Sequence, residues 1–254
     1  MILLSLFLLM SMSCDFACDN ITINDNNVNV HVDNTIEPIT VDGNTLAGPY
    51  DDLKQTIENL QPGNTFNFMK DYSFSGFGFG DRAIVIKQND IIINGNGHTI
   101  DAGGIDNFAI FNILGANVKI NNLTFTNSYL TNLRGPMLHN TEHVPILSPI
   151  TWNGDNSVMQ NCIFSNNIAL NGGSLTWNGG NGKIDNCSFV NSTAGGIGGS
   201  IYLGGINNTI SNCIFYNLKS LLNESIYLDR GRKTLFLKII LSLKNRYIYI
   251  LLII

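Results

Sequence analysis

Four segments of the chain share one pattern of apolar and polar positions: INNLTFTN at 120–127, MQNCIFSN at 159–166, IDNCSFVN at 184–191 and ISNCIFYN at 210–217. The common order is apolar, any, Asn, Leu or Cys, any, Phe, any, Asn. A second apolar element begins nine residues before each: FNIL from Phe111, ITWNG from Ile150, LTWNG from Leu175 and IYLGG from Ile201. A fifth copy, SIYL, stands at 225–228. Successive copies lie 25 or 26 residues apart, save one step of 39. The additional residues of that step fall within 128–149, read as a loop inserted into one turn.

Apolar residues at period two predict strands. A fixed repeat of this length predicts units that each bury a face against the next. Together they predict an all-β fold, a right-handed single-stranded parallel β-helix, with strands of successive coils about 4.8 Å apart. Within each copy the inward parity slips by one residue at Asn122, Asn161, Asn186 and Asn212. Such a slip is a bend, and Asn tolerates the left-handed backbone a bend needs. Stacked over one another, these four Asn are expected to form a hydrogen-bonded ladder.

Cys162, Cys187 and Cys213 share one repeat position, filled by Leu123 in the first copy. Leu there marks an interior slot, and free Cys behaves as a small hydrophobe. Neighbouring coils bring Cα atoms into the bridging range of about 4.4–6.8 Å, but parallel Cβ directions make a bridge awkward. The column therefore reads as buried thiols. No His accompanies it, so no metal site is expected.

Upstream, DDLKQTIENL (51–60) carries Leu53, Ile57 and Leu60 on one helical face, with Asp51 or Asp52 as cap. An open β-helix end exposes unpaired backbone, and this short helix is expected to cover it. The β-helix with its cap is thus assigned to 51–228, its first coils to 65–101, and 18–50 to an extended polar segment. Residues 2–12, ILLSLFLLMSM, have signal-peptide length and are followed by small residues. Residues 1–17 are read as a signal peptide, which implies a secreted or cell-surface protein. The tail 229–254 is apolar but carries Lys238, Lys244 and Arg246. Each would cost about 2.5–3.5 kcal/mol near the centre of a membrane helix. No transmembrane span is expected, and the tail is read as a non-native terminus from a truncated or frame-shifted coding end.

Composition narrows the function classes. Only 13 % of residues are charged and the net charge is −5. The 14 Lys and Arg are spread thinly, which argues against nucleic acid. Glu occurs at positions 37, 58, 142 and 224 alone, too few for a helical bundle, whereas Asn occurs 37 times. His139-Asn140-Thr141-Glu142-His143 matches H-x-x-E-H, but Pro136 and Pro145 bracket it. It reads as a polar loop. A polysaccharide lyase or hydrolase would gather acids on one outer column. The outward columns Lys119, Val158, Lys183, Thr209 and Asn121, Gln160, Asp185, Ser211 gather none. Asp101, Asp106 and His98 lie close in sequence without a catalytic motif. No catalytic residue and no cofactor is assigned. Trp152 and Trp177 share a position later filled by Leu203 and Leu228, which favours the interior. Thr151, Thr176, Tyr202 and Tyr227 have the opposite parity and form the candidate ligand-facing stripe.

PGNTFNF after the short helix, IIINGNGHTIDAGG (91–104), VKINNLTFTN (118–127) and the GGSxxW, GGSIYL and NCxFxN repeats resemble adhesin-like surface proteins of methanogenic archaea. These belong to the wider pectate-lyase-like class. Phe164–Asn167, Gly172-Gly173-Ser174-Leu175 and Gly198-Gly199-Ser200-Ile201 are also similar to polymorphic outer-membrane protein repeats. The resemblance covers roughly 45–228. It implies a non-catalytic surface module whose partners are polysaccharides or cell-surface glycans. The alternative it implies is a carbohydrate-active lyase or hydrolase.

Overall fold

The computed structural model describes residues 48–74, 83–105, 108–130, 148–221, 224–229, 234–237, 239–243 and 246–250, all within the compact unit Gly43–Ile254. At 48–49 and from 234 onward the description is of backbone. The unit is a parallel β-solenoid of about five coils with one short helix near its N-terminal end. Each coil presents three strand faces. Face 1 stacks Ile84–Ile86, Phe111–Ile113, Ile150–Trp152, Leu175–Trp177, Ile201–Leu203 and Ile226–Leu228. Face 2 runs from Thr65–Asn67 through Ile92–Asn94, Lys119–Asn121, Val158–Gln160 and Lys183–Asp185 to Asn208–Ser211. Face 3 runs from Gly48–Pro49 through Tyr72–Ser73, Thr99–Asp101, Thr124–Thr126, Ile163–Ser165 and Ser188–Val190 to Ile214–Tyr216.

The register is the one the repeat dictates. Ile120, Met159, Ile184 and Ile210 stand over one another. So do Phe125, Phe164, Phe189 and Phe215, whose rings stack at 5.0, 4.8 and 5.0 Å. Trp152 and Trp177 are fully buried and stack at 4.4 Å, the interior place their column implied. Cys162, Cys187 and Cys213 are free and buried. Each thiol lies against the carbonyl oxygen two residues earlier, at 3.2, 3.3 and 3.1 Å.

The corners are built on left-handed backbone. Among the described residues, thirteen Asn and one Asp have positive φ. Asn122, Asn161, Asn186 and Asn212 are among them, at φ 50–56°. Their ladder is offset at both ends. Asn186 Nδ2 donates to Asn161 Oδ1, but Asn161 donates to Asn121 and Asn212 to Asp185, each bond at 2.8 Å. A second column, Asn127, Asn166, Asn191 and Asn217, marks the next corner. A third, at Asp90, Asn117, Asn156, Asn181 and Asn207, was not singled out from sequence, although four of its members stand three residues before the repeat's first apolar position.

The helix spans Tyr50–Glu58, starting one residue and ending two residues earlier than the pattern suggested, so Asp51 and Asp52 lie inside its first turn rather than at its cap, where negative charge meets the positive end of the helix dipole. Leu53 and Ile57 are buried in the core of the first coils. Tyr50 is buried edge-on to Phe74 and Phe108, and its hydroxyl donates to Ile110 O at 3.0 Å. The helix also closes the first edge of face 1. Glu58 Oε1 accepts the Val85 N–H at 2.8 Å, and Lys54 Nζ donates both to Glu58 and, at 2.6 Å, to Ala83 O. Past Leu228 the pairing continues: Thr234–Leu237 joins face 2, Ile239–Leu243 joins face 3, and Arg246–Ile250 turns back antiparallel on the latter. No helix among the described residues is long and apolar enough to cross a membrane.

Candidate functional site

The outer column of face 1 holds Val85, Asn112, Thr151, Thr176, Tyr202 and Tyr227 in register. The four stripe residues are not equally accessible. Thr151 is 0 % and Thr176 4 % exposed, whereas Tyr202 and Tyr227 are half-buried. The loops entering face 1 explain part of the difference. They stack on one another as the strands do: Gly172 N–H donates to Ile197 O at 3.0 Å and Gly173 N–H to Gly198 O at 3.1 Å. Gly172 and Gly198, at φ +55° and +67°, turn these loops tightly against the strands. A Cβ on either would come 2.3 Å from Leu175 O or Ile201 O. Ser148 Oγ donates to Asn171 O at 2.7 Å and meets Thr176 Oγ1, so this loop layer lies over Thr176. Thr151 Oγ1 is buried with no hydrogen-bond partner among the described residues. The accessible part of the stripe is thus the step Tyr202–Tyr227.

The two Tyr rings stack at 5.3 Å, 19° from parallel. Each ring covers one face of the other. Beside them runs a short amide row. Asn178 Nδ2 donates to Asn153 Oδ1 at 2.9 Å, and Asn153 Nδ2 to Asn112 Oδ1 at 3.3 Å. The next coil has Gly204 at this repeat position, so the row ends there. Asn178 leans into the space: a Cβ on Gly204 would stand 2.5 Å from Asn178 Oδ1 and 3.4 Å from Tyr202 Cε1. A carboxamide oxygen, a tyrosine edge and a side-chain-free step are therefore brought together. Sequence reading missed Asn178 and Gly204. The signal was the repeated W-N-G that becomes L-G-G in the next coil.

Other sequence candidates are placed apart. Lys119, Val158, Lys183 and Thr209 form one outer column of face 2, and Asn121, Gln160, Asp185 and Ser211 the next. Asp185 accepts from Ser211 Oγ and Asn212 Nδ2 and pairs with Lys183 Nζ at 3.0 Å. Partial burial pushes its carboxyl up, but these three partners outweigh it and hold the group below the usual carboxylate range. On the longer first corners, His98 Nδ1 meets Asp71 Oδ1 at 3.0 Å, and the Thr99 N–H donates to the same oxygen at 2.9 Å. Asp101 is engaged by Asn127 Nδ2 at 3.0 Å and its own turn. Asp106 and the segment His139–His143 lie outside the described residues. Among the described residues, no group of three or more His, Cys, Asp or Glu is placed to hold a metal ion.

The fold defines the class: a parallel β-solenoid in which one face carries a polar and aromatic step. No family model and no curated protein matches the chain. Among solved structures the chain is similar to the alginate lyase AlyF-OU02, in complex with G6, with a TM-score of 0.53 and 16 % identity. The similarity covers 76 % of this chain and 42 % of that one, so this chain corresponds to less than half of the lyase. At that identity the likeness is one of fold.

Proposed function

We propose that the chain is a non-catalytic, exported, adhesin-like solenoid that binds a linear polysaccharide along face 1. The Tyr202–Tyr227 step beside Asn178 and Gly204 carries this reading. Equivalent groups recur at the coil spacing of about 4.8 Å, parallel to the axis. A polymer laid along the axis meets one tyrosine on each of the two coils that carry Tyr202 and Tyr227. Tyrosine offers an apolar edge and a hydroxyl together, and several weak contacts on one polymer sum as avidity. The likeness to an alginate lyase supports a polysaccharide as ligand. The adhesin-like and exported parts rest on the repeat motifs and on the apolar run at 2–12.

The test is retention on immobilised polysaccharides, alginate among them. Wild type is expected to be retained on at least one polymer. The double variant Tyr202→Ala, Tyr227→Ala should lose about tenfold in affinity, with Lys119→Ala, on face 2, unchanged. Equal retention of the tyrosine variant refutes the site. Release of unsaturated uronate ends from any polymer of the panel refutes the non-catalytic part.

A further inference from the structure

Among the described residues, the side-chain amide rows of the solenoid all run in one direction. The Nδ2 of a later coil donates to the oxygen of the coil before: Asn94 to Asn67, Asn117 to Asp90, Asn181 to Asn156 and Asn217 to Asn191, at 2.7–3.2 Å. Each row therefore finishes, toward the later coils, in an oxygen that receives nothing from its own row. The row beside the tyrosines finishes early. It consists of Asn112, Asn153 and Asn178, and two strands of face 1, Ile201–Leu203 and Ile226–Leu228, lie beyond it. The oxygen that ends it, Asn178 Oδ1, thus belongs to the middle of the face and not to the end of the solenoid. Asn178 is exposed. The bond from its Nδ2 to Asn153 fixes the carboxamide, and among the described residues its Oδ1 accepts no hydrogen bond.

That oxygen leans over Gly204. A Cβ on Gly204 would stand 2.5 Å from Asn178 Oδ1 and 3.4 Å from Tyr202 Cε1. A similar arrangement occurs at Gly196, where a Cβ would stand 2.4 Å from Asn171 Oδ1, but that oxygen accepts the Ile197 N–H at 3.2 Å. Asp155 Oδ1, beside Gly180, likewise accepts the Gly180 N–H at 2.6 Å. Of these three, Asn178 Oδ1 is the one left for a partner from outside the protein. That partner must be a donor, and it must be small. A donor oxygen sits about 2.7–2.8 Å from an acceptor oxygen. Carbon in contact needs more room, about 3.5–4.0 Å between carbons, and the Tyr202 ring bounds the gap on its other side.

We infer that the gap at Gly204 is a subsite for one unsubstituted hydroxyl of the polysaccharide, which donates to Asn178 Oδ1. Asn178 and Gly204 then select polymers whose hydroxyl at this point is free over those that carry an O-acetyl group there. This rests on the reading of face 1 given above and adds to it what the site discriminates. Tyr202 and Tyr227 supply an apolar contact beside the gap, and such a contact does not tell a hydroxyl from its ester. The gap does. An ester puts an acyl carbon where only a hydrogen fits, and it removes the donor, so that oxygen faces oxygen. Asn178 is exposed, so water replaces a donor that is merely missing, and crowding is the larger of the two effects.

The test uses the full chain on immobilised alginate, glucomannan and xylan, each as the free polymer and after O-acetylation. Wild type should bind at least one free polymer and bind its acetylated form about tenfold more weakly. Asn178→Ala should bind the free polymer about fivefold more weakly, the worth of one neutral hydrogen bond, and should discriminate less between the two forms. Gly204→Asn continues the amide row, its Nδ2 taking Asn178 Oδ1 as Asn178 takes that of Asn153. It should melt no lower than wild type and lose about tenfold in affinity by filling the gap. Equal binding of free and acetylated polymer by wild type overturns the inference, and that comparison needs no variant to fold. An acetylation penalty undiminished in Asn178→Ala overturns it too, as does wild-type affinity in Gly204→Asn. If any of these occurs while the double variant Tyr202→Ala, Tyr227→Ala still loses binding, the stripe on face 1 stands and only the hydroxyl subsite falls. If the tyrosine variant binds as wild type does, or no polymer is bound, both fall.

Discussion

Replacing Glu58 by Ala should unseat the N-terminal cap while leaving the coils intact. Two features of the site set the size of the effect. Glu58 Oε1 is the acceptor of the Val85 N–H at 2.8 Å, and the carboxylate also receives Lys54 Nζ, which in turn holds Ala83 O. A hydrogen bond to a charged group contributes about 1.5–3 kcal/mol. The Lys54 and Glu58 side chains are 24 % and 30 % exposed, so solvent screening puts the cost near the lower part of that range, about 2 kcal/mol. For a domain of this size, 1 kcal/mol moves the melting temperature by about 2–4 °C, so a fall of about 4–8 °C is expected.

Two controls separate the cap from general helix effects. Glu58→Gln keeps an acceptor oxygen and loses the charge, and should cost about half as much. Asp52→Asn, in the exposed first turn, removes only a favourable charge at the helix start, worth about 0.5 kcal/mol. The melting temperature is read by circular dichroism, and native-state hydrogen exchange reads the Val85 amide itself. In Glu58→Ala that amide should exchange well ahead of the Phe111–Ile113 strand beneath it. If Val85 stays as protected as in wild type and the melting temperature moves by less than about 1 °C, the helix is not what closes this edge.

Three further outcomes follow from the corners and the core. Asn186→Ala forces an alanine into φ 50° and removes the bond to Asn161 Oδ1, together about 2–3 kcal/mol, whereas Asn186→Gly loses the bond alone; glycine should therefore be the milder change in thermal melts. The folded-state carboxyl of Asp185 sits below its ordinary value, so its stabilising contribution is complete above the unfolded pKa of about 4 and is lost as pH falls through the lowered folded one. Melting temperature against pH, taken below about pH 5, should be shallower in Asp185→Asn than in wild type. In a chain with Cys14 and Cys18 replaced by Ser, the native protein should not react with Ellman's reagent at pH 8, and three thiols should react once it is unfolded. Burial, reinforced by the Cys162 and Cys213 thiols beside it, pushes Cys187 well above the usual thiol range, and reactivity needs an accessible thiolate.

What could be read from the sequence was whatever must be compatible with a copy of itself one coil away. A stacked position meets its own equivalent above and below, so Phe125, Phe164, Phe189 and Phe215 repeat because their rings must pack face to face. The Asn corners repeat because each needs left-handed backbone and a neighbouring amide. The first two coils were harder, because their corners between faces 2 and 3 carry extra residues, Asn94-Gly95-Asn96-Gly97-His98 standing over Asn67-Phe68-Met69-Lys70-Asp71. That insertion breaks the motif, and the Asp71–His98 contact it creates has no counterpart in later coils. Beyond Leu228 the motif disappears while the step does not: Ile210 pairs with Phe236 and Phe215 with Leu241, 26 residues on in each case. Backbone pairing asks for spacing, and only side-chain stacking asks for identity.

The binding stripe shows where parity stops being informative. Strand alternation says correctly that Thr151 and Thr176 turn away from the Ile150, Trp152, Leu175 and Trp177 interior. It cannot say whether anything lies outside them. That depends on the path of the loops at 169–174 and 195–200, which is set by Gly172 and Gly198 and by hydrogen bonds between loops, and neither leaves a period-two signature. Accessibility returns at Tyr202, where the column changes from threonine to tyrosine. A lengthening of the column from Thr to Tyr is therefore as much a mark of the site as its parity. Substituting Thr176 by Tyr would not extend the stripe, since Ser148 and Asn171 already occupy the space that ring would need.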